Sequence, residues 1–210
     1  MTGLRVVAGL PDTLRADAAR LYWQAFGTKL GRVLGPEDRA LAFLERSISA
    51  RHVIVALSDE GGLLGMIGFR SSDGGFAEGS MADLRAVYGR FGALWRAAAM
   101  RAISHEVDND RFLIDGICVA AAAQSQGVGT ALIEALAQEA RTLAYAELRL
   151  EVIDTNIRAR ALYERLGFRA VCSESLGPLR HLFGFQSTIT MVRPCACSHS
   201  LTVLFHKVWR

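Results

Sequence analysis

Lysine is nearly missing from this 210-residue chain: only Lys29 and Lys207 stand among its 24 basic residues, and the rest are arginine. That imbalance reads as codon bias rather than as a binding device. The net charge of +3 is too small to argue for a nucleic-acid partner. Four cysteines do not make a disulfide scaffold, and Cys118, inside an apolar run, reads as an inert buried thiol. Cys195, Cys197, His199 and His206 lack the paired Cys-x-x-Cys knuckle of a structural zinc site, so no metal is expected and the end of the chain reads as a loose tail. No apolar run approaches the ~18–20 residues that cross a bilayer. Residues 1–5 lack the charged-then-apolar layout of a signal peptide, so a cytoplasmic protein without membrane contact is expected. What is abundant is apolar surface, 51% of residues, which is ample for a core. The length suits one domain with an appendage, expected as residues 1–193 and a tail, 194–210.

Short stretches rich in Val, Ile, Leu and Phe, bounded by Gly, Asp or Ser, predict strands at 4–8, 52–58, 63–70, 112–119, 147–153, 168–173 and 185–192. Helices are predicted between them. The first follows Pro11, with Asp12 as its candidate N-cap, and runs 13–26 with Leu14, Ala18, Leu21, Tyr22 and Ala25 on one stripe. The second starts after Gly35-Pro36 and reaches about Ser49. The third spans 128–143, with Leu132, Leu136 and Leu143 toward the core. The fourth spans 156–166 and is stopped by Gly167 at the C′ position. Residues 71–111 form an insertion: a glycine-rich loop to Ser80, then one or two helices over 81–104 broken near Gly89–Gly92. Its length fits a lid or acceptor-binding element as well as a plain packing helix. This mixed order implies an α/β sheet with antiparallel hairpins and parallel crossovers.

The chemistry is concentrated after strand 112–119. Gly127 and Gly129 flank Val128 just before an amphipathic helix. A helix start leaves backbone N–H groups without partners and carries partial positive charge, so residues 126–130 could cradle a diphosphate. Glycine used only for a tight junction is the plain alternative. A dinucleotide fingerprint needs a small residue where Leu132 stands and glycines directly at the strand end, whereas Ala120 to Gln126 intervene here. A phosphate loop of the Walker kind needs Gly-Lys-Ser/Thr, and no lysine is near.

A second segment, 147–168, bears on that choice: a strand ending near Asp154, a short helix, and Gly167-Phe168 opening the next strand. Together the two segments resemble the GNAT (N-acetyltransferase) superfamily. Gln124, Gly127 and Gly129 match its Gln/Arg-x-x-Gly-x-Gly/Ala loop. Asn156, Ala159, Leu162, Tyr163, Glu164, Gly167 and Phe168 match its Asn-x-x-Ala-x-x-Leu-Tyr-Glu-x-x-Gly-Phe helix. The motifs cover about residues 112–168. The resemblance implies a mixed, mostly antiparallel sheet of six to seven strands flanked by helices, with a helical insertion between the third and fourth strands.

It also implies acetyl-CoA as cosubstrate and an amine as acceptor. Strand 112–119 would splay from strand 147–153, and the backbone of Ile117, Cys118 and Val119 would hold the pantetheine arm and thioester carbonyl. The loop Gln124, Ser125, Gln126, Gly127, Val128, Gly129 and Thr130 would take the diphosphate. Asn156 would contact the pantetheine, with Ala159 among the cofactor-binding residues. The Tyr163 hydroxyl would lie near the thioester sulfur. Position 124, often arginine in relatives, is glutamine here, which removes a charge-assisted contact.

Amine attack on a thioester needs a neutral amine, a stabilised oxyanion and a protonated leaving thiolate. A lysine-like amine of pKa ~10.4 is only about one part in a few thousand neutral at pH 7, so a base acting through water helps. Asp115, read on the same side of its strand as Ile117 and Val119, is one candidate and Glu151 the other. Backbone N–H near Val119 would stabilise the oxyanion, and Tyr163 would protonate or hydrogen-bond the thiolate. The resemblance places the acceptor between residues 21–51, 173–184 and the insertion, whose acidic end, 106–110, could attract a cation or simply be a solvated turn. A small-molecule amine is the leading acceptor, a protein N-terminus or lysine the second, and a non-catalytic acyl-CoA-binding module the third. The apolar segment 201–205 could pair two copies of the chain or fray.

Overall fold

A computed structural model describes residues 3–77, 79–103, 112–175, 177 and 185–195. Seven strands form there: β1 (Leu4–Ala8), β2 (Val53–Ser58), β3 (Leu63–Arg70), β4 (Phe112–Val119), β5 (Glu147–Ile153), β6 (Arg169–Ser175) and β7 (Ser187–Pro194). The helices are α1 (Arg15–Leu34), α2 (Glu37–Ser47), α3 (Met81–Ile103), α4 (Val128–Thr142) and α5 (Ile157–Arg165). One sheet runs in the order β1-β2-β3-β4-β5-β7-β6. Its neighbours are antiparallel except β4 and β5, which are parallel and joined by α4. No helix among the described residues is long and apolar enough to cross a membrane.

Both faces of the sheet are covered, which is why β2 reads as a continuous apolar run instead of alternating. On one face α4 drives Leu132, Ile133 and Leu136, none of them exposed, against Ile67, Phe69, Ile114 and Leu150. Burying each of those helix side chains contributes about 1.5–3 kcal/mol. On the other face α1 and α2 pack Leu21, Leu44 and Ile48 over Val53, Val55 and Met66. A third cluster joins Leu34 and Phe43 to Leu84 and Tyr88 of α3. That helix is kinked at Gly89, whose φ of 72° is the break expected from its sequence.

Three sequence expectations need correction. The first helix does not start at Asp12, which lies in a 3-10 turn with no side-chain cap. It continues to Leu34 rather than ending at Phe26, because Leu30, Val33 and Leu34 extend its apolar stripe into the third cluster. Leu143 is not core: α4 stops at Thr142 and leaves it 46% exposed. The third correction concerns Asp115. Gly68 pairs with Gly116 but Phe69 with Ile114, so Asp115 is the extra residue of a bulge. A bulge breaks the two-residue alternation, and Asp115 turns to the α1 face, where it meets Arg70 and the Phe76 backbone. It does not share a face with Ile117 and Val119, which pack toward α4 and α5.

The last strand reaches Pro194, and Cys195 remains docked: its N–H donates to the Ala146 carbonyl at 2.8 Å, and it is buried. The acidic stretch 106–110, most of the segment 173–184 beyond Ser175, and the tail with Cys197, His199, His206 and 201–205 lie outside the described residues. Among the described residues no three His, Cys, Asp or Glu side chains stand together as a metal site would require.

Candidate active site

The site is made by a failure of pairing. β4 and β5 share only three register pairs, ending at Ile114 and Leu150. Beyond that point β4 stays with β3 through Val119, while β5 follows β7 to Ile153. The strands therefore splay, and the β5-facing backbone of Ile117 and Val119 has no ladder partner, while the Cys118 carbonyl between them points to β3. A cleft of about 470 Å³ opens there.

One wall is the start of α4. Gly127 holds a left-handed φ of 84° and serves as N-cap, a conformation in which a Cβ is strained. Its carbonyl accepts from the Ala131 N–H at 3.0 Å, the first bond of the helix. The N–H groups of Val128, Gly129 and Thr130 therefore lack intrahelical partners and line the cleft. With the helix dipole behind them they form an anion cradle. The other wall is α5, which contributes Arg158, Ala159, Leu162, Tyr163 and Arg165. Its start is capped by Asn156, whose Oδ1 accepts from the Ala159 N–H at 3.2 Å, an orientation that leaves the amide NH2 available to a ligand. Its end is a Schellman motif: Phe168 N–H donates to the Tyr163 carbonyl and Gly167 N–H to the Glu164 carbonyl, with Gly167 at φ 86°. That closure fixes Tyr163, which is 7% exposed and packs on Phe168 with ring centroids 5.8 Å apart.

Most of the expected cofactor-binding residues converge here: Ile117, Val119, Gln124, Ser125, Gly127, Val128, Gly129, Thr130, Asn156, Ala159 and Tyr163 all line the cleft. Cys118 and Gln126 do not. The Cys118 side chain is buried on the α1 side, and burial pushes its thiol up to about 12. Gln126 folds back to donate to the Ala122 carbonyl at 2.6 Å. Ala123, Arg158, Leu162 and Arg165 were not foreseen as lining residues. Arg158, Leu162 and Arg165 stand at helical spacing, so the stripe containing Tyr163's neighbours carried the signal. Among the described residues, the lining contains two arginines and no acid.

Burial, with a smaller contribution from Cys118, pushes the Tyr163 phenol up to about 12. On the opposite face Tyr22 is half-buried, and desolvation raises its phenol, followed by Cys118 and Asp115. The tilted rings of Tyr22 and Phe26, with centroids 4.7 Å apart, lie over Gly116, where a Cβ would come within 3.2 Å of Phe26. Asp115, its side chain 15% exposed, is 3.6 Å from Arg70 and accepts from the Phe76 N–H at 3.3 Å. Burial raises its pKa, against the pull of Arg70. Glu151 is more open, 37% exposed and 3.9 Å from Arg149. Since Leu150 and Val152 point to the α4 cluster, Glu151 lies on the α1 face with Asp115.

The donor set fits CoA: unpartnered helix-start amides and arginines for phosphates, free strand backbone for an amide-bearing arm, and a buried phenol at the inner end. Among solved structures, the chain is similar to a histone acetyltransferase HPA2 and related acetyltransferase from Corynebacterium glutamicum (TM-score 0.65, 18% identity, 95% of this chain and 99% of that one). It is similar also to the ribosomal-protein-S18-alanine N-acetyltransferase from Escherichia coli (TM-score 0.53, 18% identity, 95% and 98% covered). It spans 65% of the length of nourseothricin acetyltransferase, which covers 69% of this chain at 24% identity and a TM-score of 0.47. No match was found among curated proteins. The model of the acetyltransferase (GNAT) family matches residues 16–168, and the chain belongs to that family of acetyl-CoA-dependent acyltransferases.

Proposed function

We propose that the protein transfers the acetyl group of acetyl-CoA to the primary amine of a small molecule by direct attack. The observation that carries this reading is the splay of β4 from β5, which opens a cleft between the phosphate cradle at the start of α4 and the buried Tyr163 of α5. Bound acetyl-CoA supplies an activated acyl carbon and a thiolate leaving group. The backbone N–H groups near Val119 orient the thioester carbonyl and stabilise negative charge on it. Asp115 or Glu151, reached from the α1 face, takes the amine proton through water. Tyr163 holds the proton that the leaving sulfur needs.

The environment makes that last role more even than reference values suggest. With a phenol near 12 and a thiol at its unperturbed ~8.5, transfer would be uphill by about 5 kcal/mol. Burial acts on thiols as on phenols, as Cys118 shows on the opposite face of β4, where its thiol is raised to about 12, and the sulfur of a bound thioester would lie beside the buried Tyr163. A leaving thiolate buried there is raised in the same direction, so the two acidities approach each other.

The test is thiol release from acetyl-CoA across a panel of small primary amines and of peptides with free N-termini or lysines, with mass spectrometry of the products. Acetylated small amines at stoichiometric thiol release are expected. Turnover with peptides alone would move the acceptor to proteins, and tight acetyl-CoA binding with no turnover would make the chain a binding module.

A further inference from the structure

We infer that Arg158 is the phosphate-binding cation of the cleft, and that Gln124 and Ser125 are the residues that position it. The inference rests on reading the cleft as the acetyl-CoA site.

Gln124 brings no charge to the loop, yet its side chain is fully engaged. Its Nε2 donates to the Val119 carbonyl at 3.4 Å, and its Oε1 accepts from Arg158 Nη1 at 3.2 Å. Arg158 Nη2 donates to Ser125 Oγ at 2.8 Å. Ser125 itself is held at φ 63°, a left-handed conformation that costs a non-glycine residue energy. The two halves of the site, loop and α5, are thus tied together through one guanidinium.

The electrostatics say why that guanidinium is there. The two acceptors, Gln124 and Ser125, are neutral, and among the described residues no carboxylate lines the cleft. Arg158 is the second residue of α5, at the positive end of that helix dipole, and it faces the start of α4, also a positive end. A cation placed against two helix N-termini, with no acid to offset it, is unfavourable until an anion arrives. A diphosphate relieves all three at once, and charged hydrogen bonds of this kind are the strong ones. An arginine at position 124 could not accept from Arg158 and would add a fourth repulsive charge. Glutamine there is therefore a positioning residue for a cation supplied from α5.

The test compares acetyl-CoA with S-acetylpantetheine, which has the same thioester and no phosphate, for wild type and R158M, with R160M as control. Arg160 pairs with Glu164 on the outer side of α5, so R160M removes the same charge elsewhere. R158M is expected to raise KM for acetyl-CoA roughly ten- to hundredfold. Its kcat at saturation should stay within about twofold, and its KM for S-acetylpantetheine should not change. R160M should leave both KM values alone, and Q124R in the R158M background should restore part of the loss. An R158M KM for acetyl-CoA equal to wild type, or one raised equally for both substrates, overturns the inference. Wild type that neither binds nor turns over acetyl-CoA overturns instead the reading on which it rests.

Discussion

Gly65 sits on β3 beneath the start of α4, and replacing it with alanine tests how the phosphate cradle is held. A Cβ there would come within 2.9 Å of the Cys118 carbonyl, 3.0 Å of Val128 Cγ1 and 3.2 Å of Leu132 Cδ1. The carbonyl cannot yield, because β4 is locked to β3 by consecutive pairs around Gly65 and Val119. The strain falls on β3 itself and on the helix start, which the Val128 and Leu132 contacts press outward, and Val128 is its first residue. Overpacking of this kind costs about 1–3 kcal/mol, which for a chain of this size lowers Tm by roughly 2–12 °C. The same displacement shifts the Val128, Gly129 and Thr130 N–H groups, so the acetyl-CoA Kd should rise several-fold. Gly62→Ala is the control: its Cβ meets only Ser58 Oγ, at 3.3 Å, and surface changes of this sort stay within about 0.5 kcal/mol. Thermal unfolding and calorimetric titration with acetyl-CoA read both effects. If Gly65→Ala matched Gly62→Ala in Tm and Kd, close helix-sheet contact would not be what sets the cradle.

Tyr163→Phe should lower kcat about a hundredfold while changing stability by less than about 0.5 kcal/mol, because the ring packing on Phe168 is kept; unchanged kcat in thiol-release assays would refute the proton role. Asp115 gives a pH signature. Its folded pKa is raised, so its contribution is most favourable below the ordinary carboxylate range and is lost as pH rises through the folded value. Asp115→Asn should therefore gain Tm relative to wild type at neutral pH, and that gain should shrink as the pH falls toward 4; a pH-independent difference would contradict the burial argument.

Much of the site was legible because its devices are local. Gly127 and Gly167 announce themselves by the left-handed turns they allow, one opening α4 and one closing α5. The apolar stripes around Leu132 and Leu136 gave the helix and its buried face, and the apolar run of β2 gave a strand. What escaped depends on contacts between distant segments. The bulge that turns Asp115 away from Ile117 arises from pairing with Gly68 and Phe69, some 46 residues earlier, and leaves no mark on β4 itself. The extra turns of α1 form because α3 supplies partners for Leu34. Arg158 belongs to neither motif, and its meaning comes from side chains more than 30 positions away.

Residue-resolved hydrogen exchange with and without acetyl-CoA tests the central claim most directly. In the free chain the N–H groups of Val128, Gly129 and Thr130 have no intrahelical partner, so they exchange fast. Saturating acetyl-CoA should protect these three, together with the amides of Ile117 and Val119, more than any others. Saturation without protection there, or protection centred on another part of the sheet, would contradict the account.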